Sequence, residues 1–263
     1  MMEGFKKYLA AVIAFLLVGC GGGGGGGGAN STPGVFQAQG IAQGTTGVGN
    51  AQLAVILETG ELYNFSTAGN IVLTVDHGTL AELGDAYSGN ITEFNVAATT
   101  TSSGTIYGLF IAQSAITGTL TINAVEYYVY TSTYIPTYNY FMFSSTYLST
   151  YNTPASLGTL AGTYTGVYDY GGSPVTLSVS ATGAINGTSN NCAISGTATP
   201  RPSGKSVFNV SLTLTGANCV PGGVGTATGI AVLNNGSDGR THLYMGSLNA
   251  AGTNGFFWVG TKQ

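Results

Sequence analysis

Charged side chains are scarce in this sequence. Lysine and arginine together number six and aspartate and glutamate ten, so charged residues make up 6% of the chain, against about 25% in typical globular domains. So few basic residues cannot neutralise a phosphate backbone, which argues against nucleic-acid binding. Disorder is also excluded, because disordered chains lack apolar residues, whereas this chain is 43% hydrophobic and has 16 tyrosines. Threonine, serine, asparagine, glutamine and glycine must therefore supply the polar surface, as in exported β-proteins.

Residue types that carry catalysis are equally few. The sequence has two histidines and lacks the Gly-x-Ser-x-Gly elbow of serine hydrolases. The densest titratable cluster could be a cation site or an acid–base pair; it comprises Asp76, His77, Glu82, Asp85 and Glu93. We favour a polar loop, because neighbours on a strand point to opposite faces and would separate Asp76 from His77. His242 follows Arg240 near a turn and is expected at the surface. We predict no enzyme, no cofactor and no metal site.

The N-terminus reads as a cleaved export signal. Lys6 and Lys7 precede an apolar run, Tyr8 to Val18, that is shorter than the about 20 residues of a membrane span. Leu17-Val18-Gly19-Cys20 resembles the lipobox of bacterial lipoproteins, with an uncleaved anchor or an ordinary secretory signal as alternatives. The resemblance implies cleavage after residues 1–19, acylation of Cys20 and membrane attachment. In Gram-negative lipoproteins an aspartate after the cysteine favours the inner membrane. Gly21 stands there instead, which favours the outer membrane.

A glycine tract follows the lipobox cysteine. Gly21 to Gly28 are eight consecutive glycines, and residues 20–34 are predicted to be a flexible tether. Its first 12 residues would span roughly 20 Å on average and about 40 Å when stretched. The tract resembles the tether of surface lipoproteins of the transferrin-binding and factor H-binding kind. That resemblance implies β-barrel lobes that meet host proteins, although the periplasmic face stays an alternative.

Three cysteines are present. With Cys20 assigned to the lipid, Cys192 and Cys219 form an even pair in an oxidising compartment, which favours a disulfide. A metal site is the alternative, but two cysteines without nearby histidines fall short of the ligand count of zinc. The disulfide would close a loop of 27 residues and contribute about 3 kcal/mol.

After the signal, short apolar or alternating runs between turn residues predict an all-β chain. We expect two small antiparallel β-barrels or sandwiches, with one larger sandwich as the alternative. The N-terminal β domain is predicted over residues 35–133, an aromatic-rich linker over 134–157, and the C-terminal β domain with the disulfide over 158–263. Both halves begin with a Gly-Thr-rich strand, which favours a duplicated β unit of about 100 residues. Thr79–Gly84 is predicted to form a helical turn.

Strand positions follow from the same alternation. A hairpin is predicted from two runs around Thr59-Gly60. The strands predicted in the first half are Ala51–Glu58, Glu61–Ser66, Asn70–Asp76, Ile91–Ala98, Gly104–Ala112, Gly118–Asn123 and Val125–Thr133. Those predicted in the second half are Thr159–Tyr168, Pro174–Ser180, Gly183–Thr188, Cys192–Thr199, Ser206–Thr215, Gly225–Asn234, Thr241–Leu248 and Gly255–Thr261.

The second half is also similar to a module of uncharacterised proteobacterial lipoproteins. The residues that carry this similarity are Leu160-Ala161-Gly162-Thr163-Tyr164, Cys192, Pro200-Arg201-Pro202, Cys219, Thr226–Ala231, Leu248-Asn249-Ala250 and Gly255-Phe256-Phe257. That similarity implies an anchor and a disulfide and implies no chemistry.

Tyrosines concentrate around the predicted linker. This stretch is the candidate binding surface, because tyrosine rings offer rigid apolar area and a hydroxyl; its main residues are Tyr127, Tyr128, Tyr130, Tyr138, Tyr140 and Tyr147. The alternative is that these rings fill the joint between the two halves. Trp258 is expected in the core.

The sequence as a whole predicts a lipoprotein of the outer membrane that acts as a non-catalytic binding module. The partner would be a protein, a glycan or a small ligand, and extracellular if the protein is exposed on the cell surface. The alternative is a structural envelope lipoprotein that has no discrete ligand site.

Overall fold

The computed structural model describes residues 36–96, 98–128, 133–168, 173–216, 219 and 224–263, and within them residues 124–128 and 133–139 by their backbone alone. Sixteen β-strands account for most of these residues. They are β1 Gly40–Thr46, β2 Ala51–Ile56, β3 Glu61–Ala68, β4 Ile71–Leu83, β5 Ala86–Asn95, β6 Thr100–Ile111, β7 Ala115–Tyr128, β8 Thr133–Tyr147, β9 Gly162–Val167, β10 Pro174–Val179, β11 Ala184–Ser189, β12 Cys192–Pro200, β13 Phe208–Gly216, β14 Gly225–Asn235, β15 Thr241–Asn249 and β16 Gly255–Lys262.

The first eight strands form a closed antiparallel barrel, barrel 1, in which each strand pairs with the next along the chain. Strand β8 returns to β1, from Ala42 opposite Tyr147 to Thr46 opposite Phe143, and so closes the ring. Closure is partial along β8, because residues 133–141 of this strand pair with β7 alone.

Strands β9 to β16 form a second closed antiparallel barrel, barrel 2, with the same next-neighbour order. Its last strand pairs with its first at Thr261–Thr165 and Lys262–Tyr164. The connection between the barrels contains a 3₁₀ turn, Ser149–Asn152, and a short helix α1, Leu157–Leu160. Within the described residues, no helix has the length and apolar character needed to cross a membrane.

Two hydrophobic clusters stabilise the molecule. One fills the interior of barrel 1 with residues such as Leu62, Ile106 and Leu120. The other joins the interior of barrel 2 to the outer face of β2–β5 of barrel 1, so the barrels share a core. This explains why β2 is buried from Gln52 through Ile56: one of its faces lines barrel 1 and the other lies against barrel 2.

Aromatic side chains dominate the contact between the barrels. Phe65 of β3 meets Tyr244 of β15 edge-on with ring centroids 5.7 Å apart, and Phe94 of β5 lies 4.9 Å from Phe257 of β16. Gly246 of β15 admits this approach, because a Cβ atom there would lie 3.0 Å from carbons of the Tyr63 and Phe65 rings. The close contact therefore depends on a residue without a side chain.

The structure confirms the predicted fold class, with two small closed barrels, and not the single larger sandwich. The hairpin around Thr59-Gly60 is present, with Gly60 at φ +81°. All eight strands predicted in the second half are found within a few residues of their expected limits. Trp258 is fully buried, as expected.

Three local predictions are wrong. The separate strands predicted at Gly118–Asn123 and Val125–Thr133 are one strand, because β7 runs without a break over Ala115–Tyr128. Thr79–Gly84 is not a helical turn, because β4 continues to Leu83 and stays paired with β5 as far as Ala86. The predicted linker over 134–157 begins inside β8, which runs to Tyr147 and pairs with both β7 and β1. Pro136 fits this strand because β1 pairs only from Phe143 onward, so β8 lacks its second neighbour at Pro136.

Candidate functional site

A groove of about 600 Å³ lies between the two barrels. Barrel 1 contributes outward-facing residues of β3 and β4, and barrel 2 contributes the outer face of β12–β15 and the turn after β15. The groove lies beside the shared core, where the outer surfaces of the two barrels diverge. Ligand sites commonly occupy such concave junctions between domains.

On the wall that barrel 1 contributes to the groove, the polar side chains of His77, Tyr63 and Glu61 are joined by hydrogen bonds. His77 Nε2 lies 3.1 Å from Glu61 Oε1, and the Tyr63 hydroxyl donates to the same oxygen at 2.9 Å. The hydrogen bond from His77 holds the pKa of Glu61 below its usual value, so its carboxylate is charged at neutral pH. Burial raises the pKa of Tyr63, whose ring also contacts the His77 ring with centroids 4.7 Å apart.

Arg201 ties barrel 2 to barrel 1 beside this wall. Its Nε donates to Glu58 Oε1 at 2.8 Å, and its Nη1 donates to Asn209 Oδ1 at 2.7 Å. Within the described chain, the other carboxylate oxygen of Glu58 is buried and has no hydrogen-bond partner. Arg201 therefore links the β2–β3 turn of one barrel to strand β13 of the other.

Hydroxyl and amide side chains form much of the opposite wall. They face outward because alternate residues of a closed barrel point away from its core; the polar members are Thr197, Thr199, Asn209, Ser211, Thr228 and Asn249. This wall offers uncharged donors and acceptors, and Arg201 and Glu61 add one charge of each sign. The groove is thus suited to hydrogen bonding with a polar ligand of low net charge.

The acidic and histidine cluster anticipated from sequence is neither one site nor the polar loop that we favoured, because Asp76, His77 and Glu82 lie on β4 and Glu93 lies on β5. His77 faces the groove, whereas Asp76 and Glu93 face the interior of barrel 1, as the alternation along a strand requires. Glu82 accepts the backbone N–H groups of Gln37 (2.9 Å) and Ala38, and Asp85 lies in the β4–β5 turn. No group of three or more metal-ligating side chains occurs in the part of the chain that the structure describes.

A one-directional hydrogen-bond chain ends at Asp76 inside barrel 1. The Ser145 hydroxyl donates to Gln52 (3.2 Å), the Gln52 amide donates to Asn64 (2.6 Å), and the Asn64 amide donates to Asp76 Oδ2 (2.8 Å). Asp76 Oδ1 is buried and, among described residues, unpartnered. Burial, and next the charge of Glu93, raise the pKa of Asp76 to about 7. Burial also raises the pKa of Glu93.

His242 is buried, so its predicted surface position is wrong. Its ring nitrogens lie 3.0 Å from Asp238 Oδ1 and 3.2 Å from Thr261 Oγ1. The β14–β15 turn folds over the ring, and Gly236 permits this because a Cβ atom there would lie 2.5 Å from the imidazole. The histidine is thus held by its own hairpin and by β16.

The predicted tyrosine surface is described only in part. Tyr140 is exposed on the outside of β8, whereas Tyr147 is half-buried and meets Tyr151 edge-on with centroids 6.1 Å apart. Tyr130 and the side chains of Tyr127, Tyr128 and Tyr138 lie outside the described residues. The described rings therefore divide between an exposed position and the joint near the end of barrel 1.

Two of the three cysteines lie within the described residues, and the third does not. Cys192 at the start of β12 and Cys219 after β13 are joined by a disulfide, as predicted. Cys20 and the tether over 20–34 lie outside the described residues. No motif in the sequence pointed to the groove, because Glu61 is distant in the chain from Arg201 and Asn209 and lines the same groove only when the barrels pack.

Comparison with known proteins finds no matching family model, no significantly similar curated protein and no significantly similar solved structure. Function must therefore be argued from the residues of this chain.

Proposed function

We propose that this chain is an outer-membrane lipoprotein that acts as a non-catalytic binding module, and that the groove between its barrels binds a polar segment of a glycan or a protein. The Leu17-Val18-Gly19-Cys20 motif supports the anchor. The Cys192–Cys219 disulfide agrees with export to an oxidising compartment. The single observation that carries the binding role is the groove itself.

The size and lining of the groove support this role. Its volume of about 600 Å³ lies within the range of about 300–1,000 Å³ that ligand pockets occupy. Its walls combine threonine, serine and asparagine side chains with Arg201 and Glu61. Such a lining favours ligands rich in hydroxyl or amide groups, which include sugars and extended peptides.

The contacts within the groove favour binding over catalysis. His77 and Tyr63 both direct their polar atoms to Glu61, and Arg201 is held by Glu58 and Asn209. These hydrogen bonds fix the side chains before a ligand arrives, which reduces the entropic cost of binding. Among the groove residues, none of the hydrogen bonds joins His77 to a serine or threonine nucleophile.

A structural envelope lipoprotein is the second candidate. The hydrophobic cluster that runs through both barrels favours it, because so large a shared core makes the pair of barrels one rigid body. In that case the groove would hold no ligand.

Replacing Cys20 tests the anchor. The Cys20→Ala variant should be absent from the membrane fraction. Mass spectrometry of the N-terminal peptide of the wild-type protein should show acyl groups on Cys20. If the variant stays in the membrane fraction, the lipobox interpretation is wrong. Protease treatment of intact cells then separates a surface-exposed protein, which is degraded, from one that faces the periplasm.

Filling the groove tests the binding role. Ser211 lines the groove on β13, and Thr213 is the next outward residue of the same strand but is not part of the groove. The purified protein is screened on an oligosaccharide array and a peptide array. Ser211→Tyr should abolish the binding found there, whereas Thr213→Tyr should preserve it. Binding that survives Ser211→Tyr, or no binding on either array, would reject the groove and favour the structural candidate.

A further inference from the structure

The side of barrel 1 that faces away from barrel 2 carries an exposed apolar strip. We name it the β6–β8 face and define it by Tyr107, Leu109, Ile111, Tyr140 and Met142, which are between 52% (Tyr107) and 69% (Ile111) exposed. Leu83, at the end of β4, is 81% exposed and adjoins this face, because Ala86 of β5 lies opposite both Leu83 and Leu109. Soluble proteins rarely leave large contiguous apolar patches uncovered, and such patches mark interaction sites.

Strand register places these residues side by side. Tyr107 on β6 and Met142 on β8 both lie opposite Thr119 on β7, and Leu109 lies opposite Thr117. The outward positions between the apolar residues are therefore threonines. No outward-facing side chain described on β6, β7 or β8 is charged.

The described chain begins at one end of this face. The backbone N–H groups of Gln37 and Ala38 are held by Glu82, whose neighbour is Leu83. Phe36 packs on the interior cluster of barrel 1 at the same end. The β6–β7 turn after Ile111 adjoins it, because Phe110 N donates to Asp85 O of the β4–β5 turn at 2.9 Å. The described chain thus begins at the end of barrel 1 that carries Leu83 and Ile111.

The intervening chain is short. Fifteen residues separate Cys20 from Phe36, so the barrel end can lie at most about 50 Å from an acylated Cys20. A chain of this length rich in glycine has a mean span of about 20 Å. A lipid anchor would therefore hold the β6–β8 face at high effective concentration beside the membrane surface.

We propose that the β6–β8 face rests on the lipid bilayer to which the chain is anchored. This inference rests on the proposed lipid anchor. Leucine, isoleucine and methionine side chains would enter the interface, tyrosine rings suit the headgroup level, and threonine hydroxyls meet the headgroups. An uncharged face pays no cost for desolvating ionised groups. Asp85 beside Leu83 stays at the margin, where it remains in water.

This contact would orient the whole molecule. In a ring of eight consecutive strands, β6 and β7 lie opposite β2 and β3, and the outer faces of β2 and β3 are those that pack on barrel 2. With β6–β8 against the bilayer, barrel 2 points away from the membrane. The second barrel would then be presented to partners, and the membrane would not obstruct it.

Fluorescent labels on the lipidated full-length protein test the contact. Leu109→Cys and, as the matched control, Thr176→Cys on the exposed side of β10 each carry an environment-sensitive dye. Cys192 and Cys219 are bonded and an acylated Cys20 is blocked, so the new thiol alone reacts. The protein is inserted into phosphatidylethanolamine–phosphatidylglycerol vesicles that contain spin-labelled lipid. We expect severalfold stronger quenching at position 109 than at 176.

A second pair of variants tests the face as a unit. With the dye at Met142→Cys, the double change Leu109→Glu and Ile111→Glu should remove the quenching. Thr176→Glu with Ser178→Glu on barrel 2 should leave it unchanged. All four changes are at exposed positions, and thermal melting checks that the barrels remain folded.

The outcomes separate this inference from the anchor. Equal, weak quenching at 109 and 176 in a protein whose Cys20 is acylated would overturn the bilayer contact and leave the anchor intact. Disulfide cross-linking between copies at position 109 without lipid quenching would assign the face to a second copy of the chain instead. A mature protein without acyl groups would remove the anchor, and the bilayer contact with it.

Discussion

Asp76 of β4 and Glu93 of β5 are direct cross-strand neighbours, and both face the interior of barrel 1. Asp76 is buried and Glu93 is partly buried beside it, so the two carboxyl groups cannot both ionise without cost, because burial and like charge each disfavour the second negative charge. The fold therefore retains a proton on this pair at pH values at which an exposed aspartate has lost it.

Stability should accordingly decrease as pH rises. The pKa of Asp76 is about 7 in the folded state against 3.8 for an ordinary aspartate, so the folded state binds this proton more tightly than the unfolded state. The resulting stabilisation is complete below about pH 4 and is lost as pH rises through about 7. Asp76→Asn, which keeps an acceptor for Asn64, should raise the free energy of unfolding at pH 8 by on the order of 3 kcal/mol.

Urea unfolding of both proteins at pH 4.5 and pH 8 measures this effect. Glu93→Gln is the matched variant, since it removes the neighbouring charge and should recover part of the stability at pH 8. An Asp76→Asn protein with the pH dependence of the wild type would show that Asp76 is ionised in the folded state.

Gly246 should be required for the contact between the barrels. The Cβ atom of Gly246→Ala would lie 3.0 Å from the Tyr63 and Phe65 rings, which are buried and cannot easily move. We expect a loss of about 1–3 kcal/mol in the free energy of unfolding. Gly158→Ala is the control, because its nearest neighbour would be Ser156 Oγ at 3.5 Å in a helix. Equal urea midpoints for the two variants would contradict the close approach.

The Arg201–Glu58 pair should couple the barrels energetically. Their side chains are only 15% and 27% exposed, so the pair is partly desolvated. A double-mutant cycle with Arg201→Ala and Glu58→Ala should give a coupling free energy of about 1–3 kcal/mol. The exposed contact of Lys205 with Asn152 provides the comparison, and Lys205→Ala should change stability by less than about 0.5 kcal/mol. Additive single and double losses would mean that the ion pair contributes nothing.

The disulfide should stabilise barrel 2. Its loop of 27 residues predicts a loss of about 3 kcal/mol when Cys192 and Cys219 are both changed to serine. Reductant should lower the wild-type unfolding midpoint to that of the double variant and should leave the variant unaffected. A reductant effect on the variant would assign the loss to another cause.

Strand positions could be predicted where one face of the barrel meets water. Pro174–Val179 alternates strictly between exposed and buried residues, and turn residues flank it, so its period is visible in the sequence. Strands β2 and β16 lack this alternation because both of their faces are buried. Burial of both faces gives continuous apolar runs such as Phe256–Val259. The continuous apolar runs therefore indicate strands that are buried on both faces, but they do not show which strands of the two barrels pack together.

The wrong predictions arose where distant partners decide local structure. Leu80 and Leu83 have helical spacing, but pairing with β5 keeps them in a strand. Residues 134–147 resemble a linker because of Pro136, yet β7 and β1 supply the hydrogen bonds that make them a strand. The groove has no local signal at all, since it forms from outward positions of two separately closed barrels.

The position of β16 in the chain constrains how barrel 2 is completed. Phe256, Phe257, Trp258 and Val259 are all buried, and β16 provides the only partner that closes the described ring against β9. Barrel 2 thus cannot close until residue 262 has been synthesised and, in an exported protein, moved across the membrane. During that passage barrel 1, whose strands are all upstream, can already be complete, so export and folding would proceed in the same direction along the chain.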